Sequence, residues 1–195
     1  MKLSIIGTGY VGLTTGACFA EVGHEVTCVD NNQEKVQMLL DGKIPIYEPG
    51  LAELVTRNVN AGRLKFTTST AEGVRDGEVI FIAVPTPPQA DGSVDLSFIE
   101  RVAREIAESL KPEYGYRVIV DKSTVPVKTG QKVSDTVRRY APAGVQFGVA
   151  SNPEFLREGC AVDDLLHPDR IVFGANDEQA LDLMRRCYDP FVAPI

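Results

Sequence analysis

Three glycines in Gly7-Thr8-Gly9-Tyr10-Val11-Gly12 leave bare backbone where one apolar run ends and the next begins. Backbone N–H groups freed of side chains can close on a pair of phosphates at the start of a helix, whose dipole favours an anion. In this pattern the first glycine makes the tight turn, the second lets a pyrophosphate approach, and the third lets helix and sheet pack closely. An acidic residue completes it, and Asp30 lies 18 residues beyond Gly12. Its carboxylate can accept both hydroxyls of an adenosine ribose and repels a 2′-phosphate, which favours NAD over NADP. FAD can use the same loop, but the unbroken strand–helix rhythm downstream shows no housing for an isoalloxazine. Lys35 either supplements the phosphate or ribose contacts or is a solvated surface lysine. The plain alternative for the whole constellation is an ordinary turn with a helix-capping Asp.

Three more polar loops fall where an open α/β sheet binds ligands, beyond the C-terminal ends of its strands. In Val84-Pro85-Thr86-Pro87-Pro88 the prolines forbid both helix and ladder. Thr86 is then held against a ribose or nicotinamide, or belongs to a stiff surface loop. In Lys122-Ser123-Thr124-Val125-Pro126, Thr124 can orient a water or a substrate hydroxyl, and Ser123 or Thr124 can equally cap the next helix. Residues 151–159 carry Glu154 and Glu158, four apart and on one side if the segment is helical. Like charges that close raise one another's proton affinity, so one can act as a general base through water. Arg157 between them either neutralises a phosphate or pairs with a carboxylate, and capping plus a surface salt bridge is the plainer reading. His167, before Pro168 in a polar turn, is more economically a hydrogen-bonded surface residue than a catalyst. Cys18 and Cys28 lie on apolar segments and read as packing thiols, and Cys160 is a weak candidate nucleophile.

These residues need elements to hold them. Apolar periodicity predicts strands over 2–6, 25–29, 64–67, 79–84, 116–120, 146–150 and 170–173, and helices over 11–22, 33–40, 51–60, 71–75, 95–110, 127–140 and 178–187. Residues 44–50 read as a rigid connector and 151–169 as irregular. Alternation of this kind predicts an α/β, Rossmann-like, doubly wound and mostly parallel sheet with helices on both faces. Residues 1–188 form the expected NAD-binding domain. Residues 189–195, with Pro190 and Pro194, look like the start of a connector.

With 44% apolar residues, a chain of 195 can bury a substantial core. Its net charge of −7 disfavours nucleic acid as a partner without excluding a local anion site made of backbone. No apolar run approaches the ~20 residues of a membrane span. A strand starting at Lys2 leaves no room for a signal peptide. Four irregularly placed cysteines without a C-x-x-C pair suit a reducing compartment, hence a cytoplasmic protein. Two distant histidines offer no His-rich zinc centre, so no metal is expected.

Taken in order, the motifs at Ile6 to Leu13, Ile46-Tyr47-Glu48-Pro49-Gly50-Leu51, Val84 to Pro88, Lys122 to Val127, Asn152 to Gly159 and Pro168-Asp169-Arg170-Ile171-Val172 resemble the UDP-glucose/GDP-mannose dehydrogenase family along the whole chain. The resemblance implies a four-electron, NAD-dependent oxidation of UDP-glucose to UDP-glucuronate. A first hydride leaves the C6 hydroxymethyl, a cysteine adds to the aldehyde, a second hydride leaves to a second NAD, and water hydrolyses the thioester. It implies that Gly7, Gly9, Tyr10, Val11, Gly12, Asp30 and Lys35 bind NAD, with Thr86, Thr124 and Glu158 near its ribose and nicotinamide. Thr124, Glu154 and Glu158 would serve catalysis, Thr124 by holding a water and Glu154 by general-base or hydrolytic chemistry. Glu154, Phe155, Leu156 and Arg157 would line the sugar-nucleotide site.

GDP-mannose or a UDP-N-acetyl-hexosamine is the alternative substrate within the family, and a non-catalytic NAD-binding module is the alternative of another class. Two departures stand out. Lys128 occupies a position where the family commonly has glycine. Family members are also more than twice as long. The resemblance therefore places the nucleophilic cysteine, a Lys and Asn on a connecting helix, the base-binding domain and most of a homodimer contact outside these residues. The chain alone is expected to bind NAD weakly or moderately and to make no UDP-glucuronate.

Overall fold

Strands that are buried along nearly their whole length must be covered on both faces. The computed structural model, which describes residues 1–123, 125–126, 128–175, 177–191 and 193, has that arrangement. In chain order the elements are β1 (Lys2–Ile6), α1 (Tyr10–Glu21), β2 (Glu25–Val29), α2 (Gln33–Leu40), α3 (Leu51–Asn60), β3 (Leu64–Thr67), α4 (Thr70–Asp76), β4 (Val79–Ile82), α5 (Ser97–Ser109), β5 (Arg117–Asp121), α6 (Thr129–Tyr140), β6 (Phe147–Ser151), α7 (Ala161–Leu166), β7 (Gly174–Ala175) and α8 (Glu178–Tyr188). Among the described residues the strands form one sheet in the order β3-β2-β1-β4-β5-β6-β7. Every pairing is parallel except that of β6 with β7.

Side chains along a strand alternate between faces, and the core divides accordingly. Leu3 and Ile5 of β1 join Phe19 of α1, Leu54 of α3 and Met184 of α8 in one layer. Ile6 joins Val74 of α4, Ile106 of α5 and Val133 of α6 in the other. Strand order reverses between β1 and β4, so the crevice at a doubly wound sheet's switch point opens where Gly7 and Ala83 leave their strands. The core continues past α8: Phe191 is buried, its ring 5.6 Å from those of both Phe19 and Tyr188. No helix among the described residues is long and apolar enough to cross a membrane.

Two expectations are corrected. Residues 170–173 are not a strand, because Val172 O accepts from the Asn152 side chain at 2.8 Å instead of joining a ladder. The last strand is Gly174–Ala175, antiparallel to β6. Residues 152–158 are irregular, as expected, so the condition under which Glu154 and Glu158 would share a helix face is not met. Pro153 disfavours helical backbone before it, and Glu154 Oε2 accepts its near neighbour Leu156 N at 2.7 Å, a local bond that competes with helix. Helix begins only at Ala161, within the stretch expected to be irregular.

Candidate functional site

The glycine loop is packed from within and open from without. Gly7 turns at φ +106°, and its N–H donates to Val29 O at 2.7 Å. A Cβ on Gly7 would lie 2.4 Å from Ala83 O, and one on Gly12 would lie 1.9 Å from Gly7 O. A Cβ on Gly9 would meet nothing within 4 Å. Gly9 is also the N-cap of α1 and provides no side-chain cap, and the first turn holds no acidic residue. The first-turn N–H groups have no intrahelical acceptors, and open space lies beside Gly9 at the positive end of the helix dipole.

Asp30 ends β2 almost buried, with four donors on its carboxylate. Oδ2 accepts Thr8 N at 2.9 Å, Thr8 Oγ1 at 2.7 Å and Lys35 Nζ at 2.9 Å, and Oδ1 accepts Asn32 N at 3.0 Å. Burial raises its proton affinity, but these bonds prevail and hold the carboxyl below its ordinary range. Asp30 thus fixes the height of the glycine loop through Thr8 and ties down Lys35. Of the four donors, only Lys35 Nζ sits at the end of a long, part-exposed side chain that can move aside for a ribose. Asn32 caps α2 by accepting Lys35 N at 3.0 Å, which sets where Lys35 starts.

The other candidate residues are placed as follows. Thr86 is half-buried in the loop after β4, and Thr124 lies outside the described residues. Glu158 is exposed, and Phe155 is exposed with the Arg170 guanidinium 5.3 Å from its ring centre. Arg157 pairs with Asp164 at 2.6 Å rather than with either glutamate. Between this loop and residues 163–172 opens a cleft of about 490 Å³ whose floor includes Lys122, Asn152 and Tyr188.

Sequence reasoning missed two groups. Lys122 is 2% exposed, donates to Asn152 Oδ1 at 3.1 Å, and shares that oxygen with the Tyr188 hydroxyl. Burial brings Lys122 down to about 8. Its neighbour Asp121 is pushed up to about 7 by burial, partly offset by the Ser123 N–H, and its Oδ2 has no partner among the described residues. A Lys after an apolar run looks solvated; in the fold it is buried, bonded to Asn152 beside Tyr188, both distant in sequence. The second group is Glu48, read as part of a connector, which is 5% exposed and bonded to Tyr10, Gly159 and Ala161. The sequence signal was present: a lone acid among Pro, Tyr and Gly between two helices.

An open doubly wound sheet with this loop at its switch point defines a Rossmann-like domain. Residues 1–192 match the UDP-glucose/GDP-mannose dehydrogenase family, NAD binding domain, and the chain belongs to that family. It is 45% identical over 194 residues to UDP-glucose 6-dehydrogenase TuaD of Bacillus subtilis (strain 168), covering 100% of this chain and 41% of that protein. A solved UDP-glucose dehydrogenase from Pyrobaculum islandicum superposes with a TM-score of 0.95 at 45% identity, covering 100% of this chain and 45% of that one. GDP-mannose dehydrogenase from Pseudomonas aeruginosa gives 0.91 at 38% identity, covering 100% and 45%. The chain therefore spans less than half the length of these relatives. The cofactor of the family domain is NAD, and the residues present fit it: an outward-open Gly9, an uncapped helix start and an ionised Asp30 leave room and charge for a pyrophosphate and an adenosine ribose.

Proposed function

We propose that residues 7–12, with Asp30 and Lys35, hold NAD, and that in the whole protein this domain serves the oxidation of UDP-glucose to UDP-glucuronate. The observation that carries the reading is the open space beside Gly9 at the uncapped start of α1. When bound, NAD supplies the hydride acceptor. In this reading the Tyr10, Val11 and Gly12 N–H groups meet the pyrophosphate while Gly7 and Gly12 keep the loop tight against β4. Asp30 stays ionised, orients the ribose hydroxyls and repels a 2′-phosphate. Thr86, Thr124 and Glu158 lie near the ribose and nicotinamide. Thr124, Glu154 and Glu158 handle water and protons, and Glu154, Phe155, Leu156 and Arg157 line the sugar-nucleotide side.

Residues 1–188 act as the NAD domain and 189–195 lead toward the rest of the protein, which works in the cytoplasm, as the cysteine pattern suggests, and as a homodimer, as the family resemblance implies. GDP-mannose is the second reading, favoured by the 0.91 superposition on a GDP-mannose dehydrogenase.

Titration calorimetry of the 195-residue chain should show NAD binding and, from the charge repulsion at Asp30, NADP binding weaker by about tenfold or more. An absence of heat with NAD refutes the cofactor site. A panel of UDP-glucose, GDP-mannose and UDP-N-acetylmannosamine on the full-length gene product should yield UDP-glucuronate. Turnover of GDP-mannose alone refutes the substrate, and turnover of UDP-glucose by the 195-residue chain refutes the division of labour.

A further inference from the structure

Tyr10 is the first residue of α1, directly after Gly9, and its hydroxyl donates to Glu48 Oε2 in the connector between α2 and α3. The same carboxylate accepts Gly159 N at 2.8 Å through Oε2 and Ala161 N at 2.8 Å through Oε1. The Tyr10 hydroxyl also accepts from Gly159 N at 3.1 Å. One buried anion thus joins three segments remote in sequence: the helix that begins in the glycine loop, the connector, and the turn that carries Glu158. No cation among the described residues pairs with it, so its charge is met by neutral donors alone. Burial raises the Glu48 carboxyl's proton affinity, but the Tyr10 hydroxyl and backbone N–H groups prevail and keep it below its ordinary range. Burial and the adjacent carboxylate push Tyr10 up to about 12, so it remains a donor.

We infer that Glu48 is a positioning residue that couples the two halves of the site, holding Tyr10 against the 157–161 turn so that occupation of the glycine loop and order in the sugar-nucleotide loop depend on each other. A purely structural tie would stabilise both segments without linking them. The difference lies in geometry. Tyr10 sits one residue from the open backbone of Gly9, and Gly159 is one residue from Glu158, so a shift of α1 toward a bound pyrophosphate is transmitted across two hydrogen bonds. By linkage, whatever NAD does to the turn, the turn does to NAD affinity in equal measure. The inference rests on the proposed NAD site.

Amide exchange and calorimetry on the 195-residue chain test it. In the wild type, saturating NAD should slow exchange at Gly159 and Ala161 by about fivefold or more. In Glu48→Gln, exchange at both should be about tenfold faster, respond to NAD no longer, and accompany a dissociation constant raised about five- to thirtyfold. Tyr10→Phe keeps the Glu48 bonds to the turn, so it should leave basal exchange nearer wild type while abolishing the NAD response. NAD binding with unchanged exchange at the two amides overturns the coupling alone. Wild-type affinity in Glu48→Gln overturns it as well. Failure of the wild type to bind NAD overturns the cofactor site and the coupling together. If Glu48→Gln does not fold, Tyr10→Phe decides by the same readout, and a full-sized NAD response in it overturns the inference.

Discussion

Asp121→Asn should abolish a large part of the pH dependence of this domain's stability. Asp121 closes β5 at 1% exposure, with Oδ1 accepting Ser123 N at 3.2 Å and Oδ2 unpaired among the described residues. Burial drives the carboxyl up to about 7 in the folded chain, against ~3.9 in an unfolded one. The folded state therefore binds the proton more tightly. Between those two values it carries more protons than the unfolded state, so stability falls as pH rises and the full loss is reached above the folded value. About three units at ~1.4 kcal/mol each make a total of about 4 kcal/mol, of which roughly 2–3 kcal/mol falls between about pH 5 and about pH 8. Asn keeps the acceptor for Ser123 and cannot ionise; its extra donor adds a cost that does not vary with pH. Urea unfolding of both proteins at the two pH values should show the variant gaining roughly 2–3 kcal/mol on the wild type from acid to alkaline conditions. A difference that stays flat across that window refutes the reasoning, for it would mean the carboxylate is solvated or paired.

Gly9→Ala and Gly12→Ala should separate binding from folding. The first places a methyl in open space, so stability should change by only about 1 kcal/mol or less while calorimetric NAD affinity falls about tenfold or more. The second puts a methyl 1.9 Å from Gly7 O and should cost about 1–3 kcal/mol in urea unfolding. Lys128 is the non-glycine residue held at positive φ, +76°, among the described residues. Relief of about 1–2 kcal/mol of left-handed strain, less about 0.5–1 for glycine's entropy, predicts that Lys128→Gly raises stability by up to about 1.5 kcal/mol in the same assay. Asn152→Ala strips buried Lys122 and the Tyr188 hydroxyl of their shared acceptor and should cost about 2–4 kcal/mol. Adding Lys122→Met should recover part of that loss, the Tyr188 hydroxyl still lacking its acceptor.

The parts of this protein written in local chemistry were legible from the chain. α2, α3 and β3 begin and end where caps, glycines and apolar periodicity place them, because an Asn32 cap or a two-residue alternation acts within a few residues of its cause. The resemblance to the family flagged position 128 as one that commonly holds glycine, and the backbone there is left-handed. The Gly7, Gly9 and Gly12 spacing and Asp30 were equally visible, though not the way Asp30 spends its lone pairs on Thr8, Asn32 and Lys35 before any ligand arrives. The misplaced strand has a tertiary origin. Residues 170–173 took their form from a bond that periodicity does not encode, Asn152 to Val172 O.

Amino-acid order alone determined a mostly parallel α/β sheet, its switch-point loop and the acid that faces it, since each follows from neighbours along the backbone. Tertiary structure alone decided which charges lose water. Glu48 meets donors 38, 111 and 113 residues away, and Asp121 and Lys122 become buried only when distant segments close over the end of β5. Desolvation is set by everything that surrounds a group in space, so no reading along one dimension can supply it.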